Sequence, residues 1–309
     1  MAEKAKYVKA EQTKWQSIIN AFRPWTLYTA FFSVALGAVW ALNRGYWDWL
    51  LFILTLLGGV LLQAASNLFN TYGDYASGVD TVESALRSPE LVRGQLKPET
   101  VKWMGVGCCA VTALIGCYLI YATGWQIIIF GVIGIVFAYG YTMGMAYKYH
   151  GLGLVMVFLL MGEIMVLGSY YVLAQSIDWW LALVTIPNAC LITAILNGNE
   201  LRDYYSDKAS GLQTLSVKLG YTFSFRLYQT LHILPFVLVA AMVVGRVMTP
   251  WTLLVFLMLP KLVGIIKNTY RAREGDKTAN LLLVIKACAF HWQFVGLMIL
   301  GLLLGIWLR

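Results

Sequence analysis

Residues 49–80 read WLLFILTLLGGVLLQAASNLFNTYGDYASGVD. No charged side chain occurs between Trp49 and Gly73, a run long enough to cross a bilayer, for which about 20 apolar residues suffice. Its far end carries Asn67, Asn70 and Asp74 at i, i+3 and i+7, which places them on one face of a helix. Gly73 and Gly78 then let the chain turn, and Asp80 follows. A membrane span that delivers oxygen ligands to one interface is the pattern that decides the fold.

The rest of the chain repeats the apolar half of that pattern. Of 309 residues, 60% are hydrophobic and 12% charged, and the mean hydropathy is +0.69. Soluble domains carry about a quarter charged residues. The composition therefore excludes an ordinary water-soluble enzyme, a disordered chain, a collagen-like fibre and a disulfide-stapled secreted scaffold. Spans are expected near 24–42, 49–70, 101–122, 126–145, 151–174, 179–197, 224–245, 250–270 and 281–307. Each must be helical, because hydrocarbon cannot hydrogen-bond an open backbone. The expected fold class is an all-α polytopic membrane protein with nine transmembrane helices. It forms a single membrane-embedded domain over 1–309, with 1–23 a polar cytoplasmic segment. Pro24 opens the first span and Pro98 precedes the third, while Pro187, Pro235 and Pro260 fall inside spans and predict kinks.

Charge gives the orientation. The net charge is +8 and the isoelectric point near 9.2, but the basic residues flank apolar runs, so no nucleic-acid partner is expected. Eighteen of the 23 Lys and Arg residues fall on one side of the expected spans and three on the other. That asymmetry puts the N-terminus and both Asp-containing loops in the cytoplasm and the C-terminus outside. The reading is an integral protein of a bacterial or archaeal cell membrane, with the lipid bilayer as partner. No cleavable signal peptide is expected, since the first residues are polar and basic. The five cysteines sit in apolar runs without a CxxC pair and read as buried thiols. His150, His232 and His291 are scattered and read as structural or interfacial.

A second loop mirrors the first. Residues 197–211 read NGNELRDYYSDKASG, with Asn199, Asp203 and Asp207 at i, i+4 and i+8. Each loop has an Asn four residues before an Asp, then another Asp, a Gly and a basic segment, as in an internal repeat. Carboxylates and amide oxygens are hard ligands that suit Mg²⁺, which is commonly shared with substrate phosphates. Asn70, Asp74, Asp80, Asn199, Asp203 and Asp207 are the candidate metal ligands, for two Mg²⁺ ions that clamp one diphosphate as a leaving group. The four Asp carboxylates balance the two ions, and an ionised diphosphate of charge roughly −3 then calls for cations. Arg87, Arg93, Lys148, Arg202 and Lys208 lie on the same side. The competing reading, in which the acids only solvate loop ends, suits a single DxxxD better than two arrays.

At these residues the chain resembles the UbiA superfamily of intramembrane prenyltransferases. Within it, the resemblance is strongest to 1,4-dihydroxy-2-naphthoate polyprenyltransferases and their animal menaquinone-4-forming relatives. It runs from Arg23-Pro24-Trp25 to the last span, and rests on residues 67–80, 202–220 and the LGSYYV segment at 167–172. Departures are Thr71 in place of the first Asp of NDxxD, Glu200 in place of an Asn, Leu154 in place of an acid, and Glu163 in place of a Pro. The resemblance implies a central cavity (a UbiA-like fold), with both loops over its cytoplasmic mouth and a lateral opening for the isoprenoid tail. It implies Asp74, Asp203 and Lys148 as catalytic residues, and Asn67, Arg87, Arg93, Tyr141, Lys148, Arg202 and Lys208 as diphosphate contacts.

The expected reaction is Mg²⁺-dependent transfer of a polyprenyl group from polyprenyl diphosphate to a naphthoate acceptor. Decarboxylation accompanies the transfer, and the product is a demethylmenaquinone. An interior rich in aromatics, drawn from 12 Trp, 18 Tyr and 14 Phe, would stabilise an allylic cation through ring quadrupoles. Packing and interfacial belts are the competing use of each ring. The rival functions are a UbiA-type terpene cyclase, a prenyltransferase for another acceptor, and an ion-coupled transporter. Transporter sites lie near the bilayer midplane, whereas these acids lie at one interface. Glu163, an acid inside a span, is a functional candidate by default.

Overall fold

The computed structural model describes residues 13–80 and 89–308. Eight helices among these residues are long and apolar enough to cross a membrane, and a ninth apolar helix is shorter. In chain order they are α1 (Lys14–Phe22), α2 (Pro24–Asn43), α3 (Trp49–Ala76), α4 (Pro98–Thr123) and α5 (Ile127–Gly140). Then come α6 (Gly153–Ala174), α7 (Trp179–Arg202), α8 (Tyr221–Val244), α9 (Pro250–Arg273) and α10 (Lys277–Trp307). α1 and α2 together make the first of the eight long helices.

Local chemistry sets the breaks. Thr13 accepts from Gln16 N–H while the Gln16 side chain accepts from Thr13 N–H, a reciprocal cap that starts α1. Arg23 then adopts a left-handed conformation, φ 50° and ψ 59°, and Pro24 opens α2 at its first turn. α7 breaks at Thr185, just before Pro187, whose missing N–H cannot bond the carbonyl four residues back. α9 starts as a 3₁₀ helix, Pro250–Met258, and becomes α-helical at Leu259–Pro260. Pro235 is accommodated inside a continuous α8. A π-helical turn, Phe158–Ile164, interrupts α6.

Three expectations are corrected. The span expected at 126–145 is a helix of only 14 residues, because the chain reverses after Gly140 through positive-φ positions at Gly144 and Ala146. The spans expected to end at 70 and 197 continue to Ala76 and Arg202, so both motifs stand on helix ends. Asn199, Asp203 and Asp207 do not share one uninterrupted helical face. Asp203 caps α7 at φ −101° and ψ 6°, and a short helix, Tyr204–Ala209, begins beyond it.

The larger core lies among α2, α6 and α7 to α10, around Trp40, Tyr228, Phe290 and Phe294. A smaller one joins α1, α3 and α4 through Ala21, Leu68, Phe69 and Val101. Small residues let backbones close up, as membrane helices require. A Cβ on Gly37 of α2 would lie 2.3 Å from the Val166 carbonyl oxygen of α6, and one on Gly162 would lie 2.2 Å from Ala189 Cβ of α7. Trp49, Trp125, Trp179 and Trp307 are exposed at one end of the bundle, and Trp15, Trp25 and Trp103 at the other. That distribution is the interfacial use of Trp. At the first end Asp178 ties the turn before α7 to α2, accepting from Trp40 Nε1 at 2.9 Å and from Arg44 Nη2 at 2.8 Å.

Candidate active site

A cavity of about 640 Å³ runs into the bundle from the end that carries both motifs. Its head is polar. Asn67, Asn70 and Asp74 come from α3, Tyr141 and Lys148 from the segment between α5 and α6, and Asn199 and Glu200 from α7, with Asp207 beyond it. Its deeper wall is aliphatic, with Ile115, Ile127, Ile133, Leu160 and Val172 among the lining residues. The aromatic interior is thinner than expected. Tyr28, Phe130, Phe137, Tyr141 and Tyr147 are the rings that line the cavity among the described residues, and no Trp does.

The head is organised by one ammonium. The chain reversal after α5 closes with Lys148 N–H donating to the Tyr141 carbonyl, which aims the Lys148 side chain inward. Its Nζ lies 2.7 Å from both Asp74 oxygens and 3.0 Å from Asn70 Oδ1. Tyr149 donates to Asp74 Oδ1 at 2.7 Å, and its oxygen also lies 3.1 Å from Ser77 Oγ. The Lys148 ammonium is 5.7 Å from the Tyr141 ring centroid and 5.6 Å from that of Tyr149. Burial and the Asp74 charge push the Tyr149 phenol up from its ordinary value, so it stays an O–H donor.

The remaining candidates divide. Asn67 lines the cavity but spends its amide hydrogens on Phe22 O at 2.9 Å and Thr26 Oγ1 at 2.8 Å, which pins the α1–α2 junction to α3. Asn199 faces the cavity and donates to Ile195 O at 3.3 Å. Asp207 is buried and lines the cavity. Asp203 is held by its neighbour Arg202, with Nη2 at 2.7 Å, and neither lines the cavity. Asp80 sits at the helix end, its N–H on the Asp74 carbonyl. Arg93 and Lys208 are exposed. Arg87 lies outside the described residues.

Some contributors lacked a sequence signal. Arg23 lines the cavity, and its Nη2 donates to Thr71 Oγ1 at 3.2 Å. Its only sequence sign was a cation ahead of a helix-opening Pro. Tyr149 could have been found as the ring beside Lys148. Glu163 bonds Thr185 across α6 and α7, at the break in α7, and does not line the cavity. His232 and His291 are fully buried, on Tyr228 O and Asn188 Oδ1, as structural histidines.

The donor set fits a hard cation. Lys148 stands as a cation within the oxygens of Asn70 and Asp74, and Asn199 and Asp207 supply more oxygens of the same class. Among the described residues no three His, Cys, Asp or Glu side chains gather closely enough to hold an ion by themselves. Such a head therefore needs amide and substrate oxygens to complete coordination.

The UbiA prenyltransferase family profile matches residues 30–295. The 1,4-dihydroxy-2-naphthoate octaprenyltransferase of Bacillus subtilis (strain 168) is 31% identical over 297 residues, covering 96% of this chain and 94% of that one. Among solved structures, a UbiA homologue from Aeropyrum pernix K1 superposes with a TM-score of 0.65 at 17% identity, covering 87% of this chain and 96% of that one. A UbiA homologue from Archaeoglobus fulgidus bound to GPP and Mg²⁺ gives a TM-score of 0.58 at 13% identity, covering 91% and 99%.

Proposed function

The chain belongs to the UbiA prenyltransferase family and is an integral membrane prenyltransferase; from that premise we propose that it prenylates 1,4-dihydroxy-2-naphthoate. The donor is a polyprenyl diphosphate, Mg²⁺ is required, and the acceptor carboxyl leaves as carbon dioxide to give the quinol form of a demethylmenaquinone, which a separate two-electron oxidation converts to the quinone. The observation that carries the reading is one cavity whose head holds Asn70, Asp74, Lys148 and Asp207 and whose body is aliphatic. A diphosphate belongs at such a head and an isoprenoid tail along such a wall. The naphthoate acceptor is favoured by the Bacillus subtilis relative, which is aligned over nearly the whole chain.

Asn70, Asp74, Asn199 and Asp207 would hold Mg²⁺ together with diphosphate oxygens, and Asp80 and Asp203 would join them from the rim. Bound there, Mg²⁺ neutralises the diphosphate and makes it a stable leaving group. Lys148, already among these oxygens, turns to the diphosphate, with the phenols of Tyr141 and Tyr149 as neutral donors beside it. Arg202 and Lys208, and Arg87 and Arg93 on the other loop, supply further positive charge from outside. The C1–oxygen bond of the donor breaks, and the allylic cation forms below the head. There the rings of Phe130, Phe137 and Tyr141 face it and the aliphatic wall keeps water away. The electron-rich ring carbon that bears the carboxyl attacks, and loss of carbon dioxide restores the aromatic ring.

The test supplies purified protein with labelled polyprenyl diphosphate and the naphthoate, with Mg²⁺ or with EDTA. Prenylated product and carbon dioxide are expected in matched amounts, and only with Mg²⁺. Activity on 4-hydroxybenzoate with none on the naphthoate would overturn the acceptor. A cyclic hydrocarbon from donor alone would make the protein a terpene cyclase.

A further inference from the structure

Glu200 is a carboxylate at a motif position where the family resemblance puts an amide, and it has no part in the chemistry above. Its side chain is buried and lines the cavity. Glu200 Oε2 accepts from Ser216 Oγ at 2.6 Å and from Ser216 N–H at 3.0 Å. Ser216 Oγ lies 2.7 Å from Ser224 Oγ, which accepts from Asn197 Nδ2 at 2.8 Å. The chain thus leaves α7 at Arg202, turns at Asp203, passes through Asp207, and reverses at Gly211 with φ 75°. It comes back to the helix it left, and Glu200 is where it is tied. Thr214, two residues before the tie, also lines the cavity.

We propose that Glu200 is a positioning residue: it latches residues 203–216 to the end of α7 through Ser216, and thereby holds Asp207 at the cavity head. An Asn at this position has one acceptor oxygen on a side chain shorter by a methylene, so it could not reach Ser216 in the same way. The carboxylate accepts both the backbone and hydroxyl hydrogens on one charged oxygen, and such bonds are stronger than neutral ones. The proposal rests on the reading of this head as a metal–diphosphate site only in its kinetic consequence. The latch itself has an independent measurement.

The experiment uses the full chain in nanodiscs, with Glu200→Ala, Ser216→Ala, the double variant and Glu200→Gln. The first readout, on ligand-free protein, is the rate of tryptic cleavage after the exposed Lys208, followed by mass spectrometry. The second is the Mg²⁺ concentration for half-maximal turnover, together with KM for donor and acceptor. Both Ala variants are expected to be cut faster and to need ~10–100-fold more Mg²⁺, the usual cost of losing a partner that orients a ligand. The acceptor KM, and kcat at saturating Mg²⁺, should stay within about twofold, because neither substitution touches the acceptor or the reacting carbon. The double variant should match Glu200→Ala, which already removes both bonds, while Ser216→Ala keeps the bond from the residue-216 N–H and should show the smaller effect. Glu200→Gln keeps an acceptor oxygen of the same reach and should return both readouts towards wild type. A wild-type cleavage rate in Ser216→Ala alongside a raised Mg²⁺ requirement in Glu200→Ala overturns the latch and makes Glu200 a direct ligand. Additive effects in the double variant overturn it as well. If the wild-type protein transfers no prenyl group, the functional reading fails while the cleavage rates still decide the latch. Ser216→Ala removes one oxygen, which keeps the test usable if Glu200→Ala does not fold.

Discussion

At the scale of single residues, Lys148 marks how far a sequence can be read. A Lys in a short loop serves equally as a topology signal and as a diphosphate ligand. Only the reversal after α5, which brings it 2.7 Å from Asp74, favours the second. Lys148→Ala should raise donor KM by about tenfold, the worth of a charge-assisted bond, with acceptor KM unchanged. Steady-state kinetics with either substrate varied decides this, and equal shifts in both constants would return Lys148 to a topology role. Asp74→Asn and Asp203→Asn should each lower turnover by more than ~100-fold while the protein still elutes as a folded species, since each removes a charge from the proposed Mg²⁺ set. Wild-type rates in either variant would remove that residue from the set. The sequence placed Asn67 on the motif face as a diphosphate contact, but its use in tying Phe22 and Thr26 was not legible, because those partners lie 45 and 41 residues away. Arg23 was missed because a left-handed backbone at a non-glycine residue leaves no mark in composition or period.

At the scale of elements, helix existence was legible and helix continuity was not. Apolar length located the spans, because that is what the bilayer selects. The one-residue break at Asp203, the π turn in α6 and the reversal after Gly140 answer to tertiary partners that hydropathy does not record. The α6–α7 contact is such a case. Gly162→Ala should destabilise the fold by about 1–3 kcal/mol, the usual cost of overpacking, because its Cβ would meet backbone and Cβ of Ala189. Gly107→Ala on α4 meets nothing within 4 Å, so it should be neutral or stabilising by about 0.5–1 kcal/mol. Thermal unfolding of both variants in micelles makes the comparison, and equal melting would remove the packing argument. The turn before α7 adds a pH effect. Burial alone would raise the Asp178 carboxyl, but bonds from Trp40, the Trp180 N–H and Arg44 outweigh it and hold it below its ordinary value. A depressed acid stabilises the fold fully above its unfolded pKa, about 3.9, and loses that contribution as pH falls through the lower folded value. Melting temperature should therefore drop below about pH 4 in wild type, and less steeply in Asp178→Asn.

At the scale of the whole molecule, everything proposed depends on one parity argument. Asp74, Lys148 and Asp207 line the same cavity head, so the segments after α3, α5 and α7 lie at one end of the bundle. Arg44 and Asp178 meet at the other end. That arrangement needs the 14-residue α5 to cross between the two ends, although at 1.5 Å per residue it spans only about 21 Å of a hydrocarbon layer about 30 Å thick. A short span is accommodated by local thinning of the bilayer and by anchoring flanks. Exposed Trp125 precedes α5, and Lys148 follows it. The positive-inside asymmetry predicts the absolute direction, with the cavity head cytoplasmic, and labelling tests it. Single cysteines in a cysteine-free background at Thr100 and Ser210 should react with an impermeant thiol reagent only in inside-out vesicles. Cysteines at Trp125 and Ser176 should react only in right-side-out vesicles. If α5 does not cross, every later segment changes side, and Ser176 and Ser210 exchange their labelling. Asp74 and Asp207 would then face opposite compartments, one diphosphate could not touch both, and the ion-coupled transporter reading would replace the shared site.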